Sequence, residues 1–212
     1  MIKAVIFDMD GVLFDTEGFY FDRRKIFLEQ KGILIDHLAP KDFIGGNVNQ
    51  IWQLVLGSDY KQWDIKKLEE EYAAFKSSHP APYQELLMPK VKETLIALKK
   101  AGYALGLASS SAMCDIERAL KDADLYSFFN VILSGEQFPE SKPHPAIYQS
   151  AVQQLAVKQA EVVVVEDSQK GIEAAKRAGL RVLALRDDRF GVDQGQADQM
   201  IDGLDEVARM LS

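Results

Sequence analysis

The run Val5-Ile6-Phe7 ends in Asp8-Met9-Asp10-Gly11, so an apolar segment delivers two carboxylates, one residue apart, into a glycine turn. Lys3 to Phe7 is β-branched and aromatic without alternation, the pattern of a strand buried on both faces of a parallel sheet. Ligands of such sheets bind beyond the carboxyl ends of the strands, which is where Asp8 and Asp10 stand. By itself, Asp-x-Asp-Gly is equally well a polar turn that closes a strand.

The same pattern recurs along the chain. Tyr103 to Ala108, Val131 to Leu133, Val162 to Val165 and Arg181 to Leu185 read as further buried strands. Between them, apolar residues fall at helical spacing, as in Val91, Thr94, Leu95 and Leu98 or in Ile116, Ala119 and Leu120. This alternation predicts an α/β fold with a doubly wound parallel, Rossmann-like sheet, and a last short strand and helix are expected after Asp198. An all-helical block separates the first strand from the second. Its helices are marked by Phe19, Tyr20, Arg23, Ile26, Phe27 and Gln30 before Gly32, by Ile51, Trp52, Leu54 and Val55 before Gly57, and by Ile65, Leu68, Tyr72 and Phe75 behind an Asp64 N-cap. The expected division is a catalytic core of residues 1–15 and 87–212 with an inserted helical cap domain of residues 16–86, hinged where the chain crosses twice.

A formal net charge of -7 argues against nucleic-acid or anionic-membrane binding, which needs a concentrated basic face. The lone Cys114 excludes an internal disulfide, and no 18-residue apolar span is present, so the cytoplasm is the expected compartment; a monomer is expected besides. His37, His79 and His144 are scattered without metal-ligand spacing. The Lys66, Lys67, Glu69, Glu70 and Glu71 run reads as the solvated face of its helix.

Parallel strands bring Asp8 and Asp10, Ser109, Lys142, and Glu166 with Asp167 to one edge of the sheet. Singly, each has an ordinary reading: Ser109 as a helix N-cap, Lys142 as a loop lysine, Glu166-Asp167-Ser168 as another cap. Together they assemble carboxylates, a hydroxyl and an ammonium, the set that metal-assisted phosphoryl transfer requires. Mg²⁺ takes hard oxygen ligands, which Asp8 and Asp167 can supply. Ser109 and the Ser110 N–H are placed to bind a phosphate oxygen, and Lys142 adds positive charge.

The segments Asp8-Met9-Asp10-Gly11-Val12-Leu13 with Asp15-Thr16-Glu17, Leu107-Ala108-Ser109-Ser110-Ser111, Ser141-Lys142-Pro143-His144-Pro145, and Glu166-Asp167-Ser168 with Gly171-Ile172 follow one another in a fixed order. In these the chain resembles the haloacid dehalogenase superfamily, in the helical-cap branch that holds small-molecule phosphatases and beta-phosphoglucomutase. The resemblance implies that Asp8 is the nucleophile and Asp10 the acid/base, with Ser109, Ser110 and Lys142 as the phosphate clamp. It also implies Asp8, Asp10 through its carbonyl, Asp167 and Glu166 around Mg²⁺, and Thr16 orienting Asp10. The expected substrate is a small phosphorylated metabolite, a sugar phosphate being the commonest kind. It would be read by the cap through Tyr20, Gly46 and Asn47, with Arg23 and Arg24 as further selectivity candidates. Position 90 is Lys where the family usually has Gly. Tyr20 and Asn47-Val48-Asn49 stand where mutase members place a His and an Arg, which favours a phosphatase over a hexose phosphomutase. A receiver-like signalling module is disfavoured by the order of its motifs and by the size of the helical insertion.

Overall fold

The structure, a computed structural model, describes residues 1–44 and 48–211, with the backbone alone for residues 48–50. Six strands, β1 (Ala4–Phe7), β2 (Ala104–Ser109), β3 (Val131–Ser134), β4 (Val162–Glu166), β5 (Arg181–Leu185) and β6 (Gln199–Ile201), form one parallel sheet in the order β3-β2-β1-β4-β5-β6. The first strand is therefore central, with Phe7 opposite Leu107 on one side and Val165 on the other. The Asp8 N–H extends the ladder one rung further, donating to the Val165 carbonyl at 2.9 Å.

The absence of alternation in the strands has its reason in two covered faces. Successive side chains of a strand point to opposite faces. Val5 and Phe7 accordingly join a cluster with Leu95 and Leu98 of α4 (Val91–Lys100), Ile116 and Leu120 of α5 (Met113–Asp122), and Val207 of α8 (Asp205–Leu211). Ala4 and Ile6 face the other way, against Ile147 and Ala151 of α6 (Ala146–Gln154) and Ile172 and Ala175 of α7 (Gln169–Arg177).

The helical block comprises α1 (Glu17–Gln30), α2 (Val48–Leu56) and α3 (Ile65–Ser78), around a cluster of its own in which Phe27, Trp52 and Tyr72 meet. Trp52 is 1% exposed and packs edge-on against Tyr72 at 5.7 Å. Asp64 caps α3 by accepting from the Lys67 N–H at 3.1 Å. The apolar stripe expected on α1 is incomplete, because Ile26 is 49% exposed while Leu28 is buried. The cause is that α1 has two neighbours: Phe19 and Tyr20 pack toward the sheet, and Phe27 and Leu28 toward the block's own core. No single face can satisfy both.

The two crossings between block and sheet pair with each other. Asp15 N–H donates to the Leu86 carbonyl at 2.7 Å, Met88 N–H to the Leu13 carbonyl at 2.9 Å, and Phe14 bridges Leu87 in antiparallel fashion. Ala81 and Tyr83 already belong to the cluster under the sheet, with Tyr83 edge-on to Phe14 at 5.4 Å. Lys90 occupies a left-handed turn at φ 66 ahead of α4, the conformation for which glycine is the usual residue. Among the described residues no helix is long and apolar enough to cross a membrane.

Because the block has its own core, Trp52→Ala should cost about 3–5 kcal/mol of unfolding free energy. Urea titration followed by far-UV circular dichroism measures this. A change below about 1 kcal/mol would mean that the Phe27–Trp52–Tyr72 cluster does not hold the block.

Candidate active site

The carboxyl ends of β1, β2 and β4 and the loop after β3 converge on a cavity of about 580 Å³ whose opposite wall is the helical block. Asp8, Asp10, Ser110, Lys142 and Asp167 line it from the sheet side. Asp8 is 7% and Lys142 2% exposed, yet the ammonium forms a complete set of bonds. It donates to Asp8 Oδ1 at 2.5 Å, to Glu166 Oε1 at 2.7 Å and to the Ala108 carbonyl at 3.0 Å. An ammonium has three protons, so all of them are engaged.

Glu166 is fully buried and equally engaged. Its Oε1 also accepts from the Tyr148 hydroxyl at 2.7 Å, and Oε2 accepts from the Asp167 N–H, the Ser168 N–H and the Ser168 hydroxyl at 3.0 to 3.1 Å. The ring of Tyr148 also lies 4.9 Å from the Lys142 ammonium. Ser168 is in addition the N-cap of α7, accepting from the Gly171 N–H, so the capping reading of this motif and its place beside the site hold together.

Asp167 differs. Its Oδ1 is buried and has no hydrogen-bond partner among the described residues. One oxygen each from Asp8, Glu166 and Asp167 lies within 4.8 Å of the others. Two glycines allow this crowding: a Cβ on Gly11, at φ +79, would come within 2.0 Å of Asp167 Oδ2, and one on Gly171 within 1.7 Å of Glu166 Oε1. A buried carboxylate oxygen without a partner, facing further carboxylates, fits a hard divalent cation such as Mg²⁺.

Asp10 is held from both sides. Thr16 donates to Oδ1 at 2.6 Å and Ser111 to Oδ2 at 2.6 Å, with Ser109 longer at 3.4 Å. Ser109 is fully buried at the strand end, where its hydroxyl accepts from the Ser111 N–H; the residue at the N-cap of α5 is Ala112. Of the three consecutive serines, Ser110 and Ser111 reach the cavity. Ser111 was not singled out from the sequence, since nothing in a triple serine tells which hydroxyl the turn will present.

Electrostatically the site has too much negative charge. Burial, reinforced by Glu166 and Asp10, outweighs Lys142 and pushes Asp8 up to about 8. Burial likewise raises Asp10, against the hydrogen bonds from Ser111, Thr16 and Tyr20, and raises Asp167 well above the usual carboxylate range with help from Glu166 and Asp8. Lys142 resists its own burial and stays charged because Asp8 and Glu166 flank it.

On the block side, Tyr20 shares a hydrogen bond with the Tyr83 hydroxyl at 3.0 Å. Arg23 is buried over the Tyr20 ring and donates to the His79 carbonyl at 3.1 Å; Arg24 lies over Phe43. Both guanidinium Nε atoms are buried without a partner among the described residues, and both arginines line the cavity. Glu17 and Glu69 also line it, Glu17 pushed up to about 8 by burial and by the nearby Asp10 and Asp8. Glu69 was expected on a solvated face; α3 turns it inward because Leu68 and Tyr72 on either side anchor the helix. Lys76 of α3 reaches Asp115 of α5 at 3.1 Å, an ion pair between the block and the sheet domain. Gly46 and Asn47, expected at the cap loop, lie outside the described residues.

The haloacid dehalogenase-like hydrolase family model matches residues 5–185. Hexitol phosphatase B of Escherichia coli (strain K12) is 30% identical over 187 residues, which cover 87% of this chain and 83% of that protein. The structure of a beta-phosphoglucomutase from Clostridium difficile is similar with a TM-score of 0.84 at 22% identity, covering 98% of this chain and 93% of the other. That of a putative beta-phosphoglucomutase from Thermotoga maritima has a TM-score of 0.75 at 29% identity, covering 99% and 98%.

The raised carboxyls fix a sign for the pH dependence of the cation-free protein. A group whose folded pKa is raised keeps its proton in the fold after the unfolded chain has lost it, so stability falls as pH rises. For Asp8 and Glu17 the window runs from about 4 to about 8. In the presence of a chelator, the melting temperature should fall from pH 5.5 to pH 8, and the stabilisation by added Mg²⁺ should grow over the same interval. Differential scanning fluorimetry at several pH values measures both; a flat profile with a pH-independent Mg²⁺ effect contradicts the charge excess.

Proposed function

This chain belongs to the haloacid dehalogenase-like hydrolases, its similar relatives there include phosphatases, and from that premise we propose that it is a Mg²⁺-dependent phosphatase of a small phosphorylated metabolite working through an aspartyl phosphate. The observation that carries the reading is the difference between its first two aspartates. Both line the cavity and burial raises both carboxyls, but Asp8 is paired with the charged Lys142, whereas Asp10 is held by the neutral hydroxyls of Thr16 and Ser111. One is placed to attack and the other to carry a proton.

Asp8 attacks phosphorus and the bond to the ester oxygen breaks, while Asp10 donates its proton to that leaving oxygen. Asp10 then takes a proton from water, which attacks the phosphorus of the acyl phosphate and frees both inorganic phosphate and Asp8. Asp8 and Asp167, with the Asp10 carbonyl, would hold a Mg²⁺ ion, which would supply the positive charge that lets the carboxylates ionise beside an anionic ester. Glu166, whose oxygens are already occupied, orients Lys142 and the Asp167 turn. Lys142, with its protons engaged, acts on the phosphoryl group through its charge, and Ser110, at the cavity wall with its hydroxyl and main chain, supplies hydrogen bonds, while the Ser111 hydroxyl stays on Asp10.

Residues 16–86 form the cap. Tyr20, Arg23, Arg24 and Glu17 give it a wall of donors and acceptors suited to a polyhydroxylated leaving group such as a sugar or sugar-alcohol phosphate. The similarity to a hexitol phosphatase supports that class. The Lys76–Asp115 pair supports closure of the cap over the site, which excludes bulk water before transfer.

A phosphomutase is the second reading, favoured by the 29% identity to the Thermotoga maritima protein. Position 20 is against it, since a tyrosine bonded to Tyr83 stands where a mutase places a histidine. A panel of phosphate esters with Mg²⁺ should give phosphate release, and glucose 1-phosphate isomers should release phosphate faster than they isomerise. Asp8→Asn should lower kcat by about 10⁴-fold or more with the fold retained. Turnover retained in that variant, or no release from any ester by folded protein, sinks the proposal.

A further inference from the structure

We propose that Gln194 is a positioning residue for Asp167, so that the loop after β5 sets the strength of the cation site without contributing a ligand to it. The proposal rests on the assignment of Asp8 and Asp167 as the cation's carboxylates.

Gln194 is 8% exposed, although Asp193, Gly195 and Gln196 around it are exposed. Its buried amide has a definite task. Pairing between β4 and β5 ends with Glu166 opposite Ala184, so the next residues, Asp167 and Leu185, have no ladder rung between them. The side-chain Nε2 of Gln194 lies there, donating to the Asp167 carbonyl at 2.6 Å and to the Leu185 carbonyl at 2.8 Å. An amide nitrogen has two protons, one for each carbonyl. The residue thus replaces the missing rung and ties the end of β4 to the end of β5.

The effect falls on Asp167. Its N–H is fixed by Glu166 Oε2 at 3.0 Å and its carbonyl by Gln194, while Gly11 leaves no spare room beside its carboxylate. The backbone on both sides of the Cα is thereby held, and the side chain keeps an oxygen without a partner among the described residues. Fixing a ligand's backbone while leaving its donor atom free is how outer groups raise the affinity of a metal site. The same loop has a second anchor, Arg189, which pairs with Asp187 at 2.6 Å and with Asp15 at 2.8 Å but does not touch Asp167. This second anchor allows ordering of the loop to be separated from the hydrogen bonds of Gln194.

The test is a Mg²⁺ titration read by thermal unfolding, with kcat at saturating Mg²⁺ measured alongside. Gln194→Leu keeps bulk and removes both donors, and it should raise the apparent Kd for Mg²⁺ by about 10–100-fold. Its kcat at saturating Mg²⁺ should change far less than its Kd. Arg189→Met, which removes the ion pairs with Asp187 and Asp15 and the contact of the guanidinium with the Phe190 ring, should leave the Kd within about twofold of the wild type. If Gln194→Leu does not fold, Gln194→Asn, whose amide is one methylene shorter and cannot reach both carbonyls, reads the same quantity and should also bind more weakly. The proposal is overturned by a variant that melts lower yet binds Mg²⁺ as the wild type does, or by equal weakening in Arg189→Met. A wild type that shows no Mg²⁺-dependent shift overturns the cation assignment itself, and this proposal with it, before any variant is made.

Discussion

One ammonium among buried carboxylates is the constraint from which most of the site follows. Lys142 compensates Asp8 and Glu166 directly, but Asp10 and Asp167 remain, and burial raises the pKa of Asp8, Asp10 and Asp167 alike. Removing charges from water is costly even when they are paired. The fold meets part of this cost with hydrogen bonds: five on Glu166, and hydroxyls on both oxygens of Asp10. Among the described residues Asp167 Oδ1 is buried without a hydrogen-bond partner, and both this oxygen and the charge excess suit a bound cation. Such a site has to sit on a rigid base, and it does. β1 lies at the centre of the sheet with both faces covered, and its ladder reaches Asp8 itself.

The elements that place this chemistry were legible because strand ends are legible. Each apolar run stops at a polar residue, and parallel pairing leaves no choice but to bring those stops together; Asp8, Asp10, Ser109 and Glu166 are all found at that edge. What the sequence did not reveal depends on side-chain direction or on distant packing. Three successive serines differ only in how the turn after β2 presents them, and Ser111, more than Ser109, came to hold Asp10. Ile26 matches a helical stripe, yet α1 divides its contacts between two cores and leaves it exposed. Gln194 lies in a polar loop of ordinary composition. Only the end of the β4–β5 ladder reveals that a buried donor pair is needed there.

Helix α1 connects the chemistry with the element that faces it. Its N-cap, Thr16, holds Asp10; Glu17 and Tyr20, one turn on, line the cavity; Phe27 and Leu28 belong to the block's own core. The paired crossings at Asp15–Leu86 and Leu13–Met88 lie immediately before it. A rotation of the block about those crossings would therefore displace Thr16, next to them, less than residues deeper in the block. The bond from Thr16 to Asp10 can then survive a small rotation, whereas the Lys76–Asp115 contact joins the two parts directly and has to move with it. An exposed ion pair contributes little by itself. This pair is only part-exposed and is a direct contact between the block and α5 at the cavity that both Lys76 and Asp115 line.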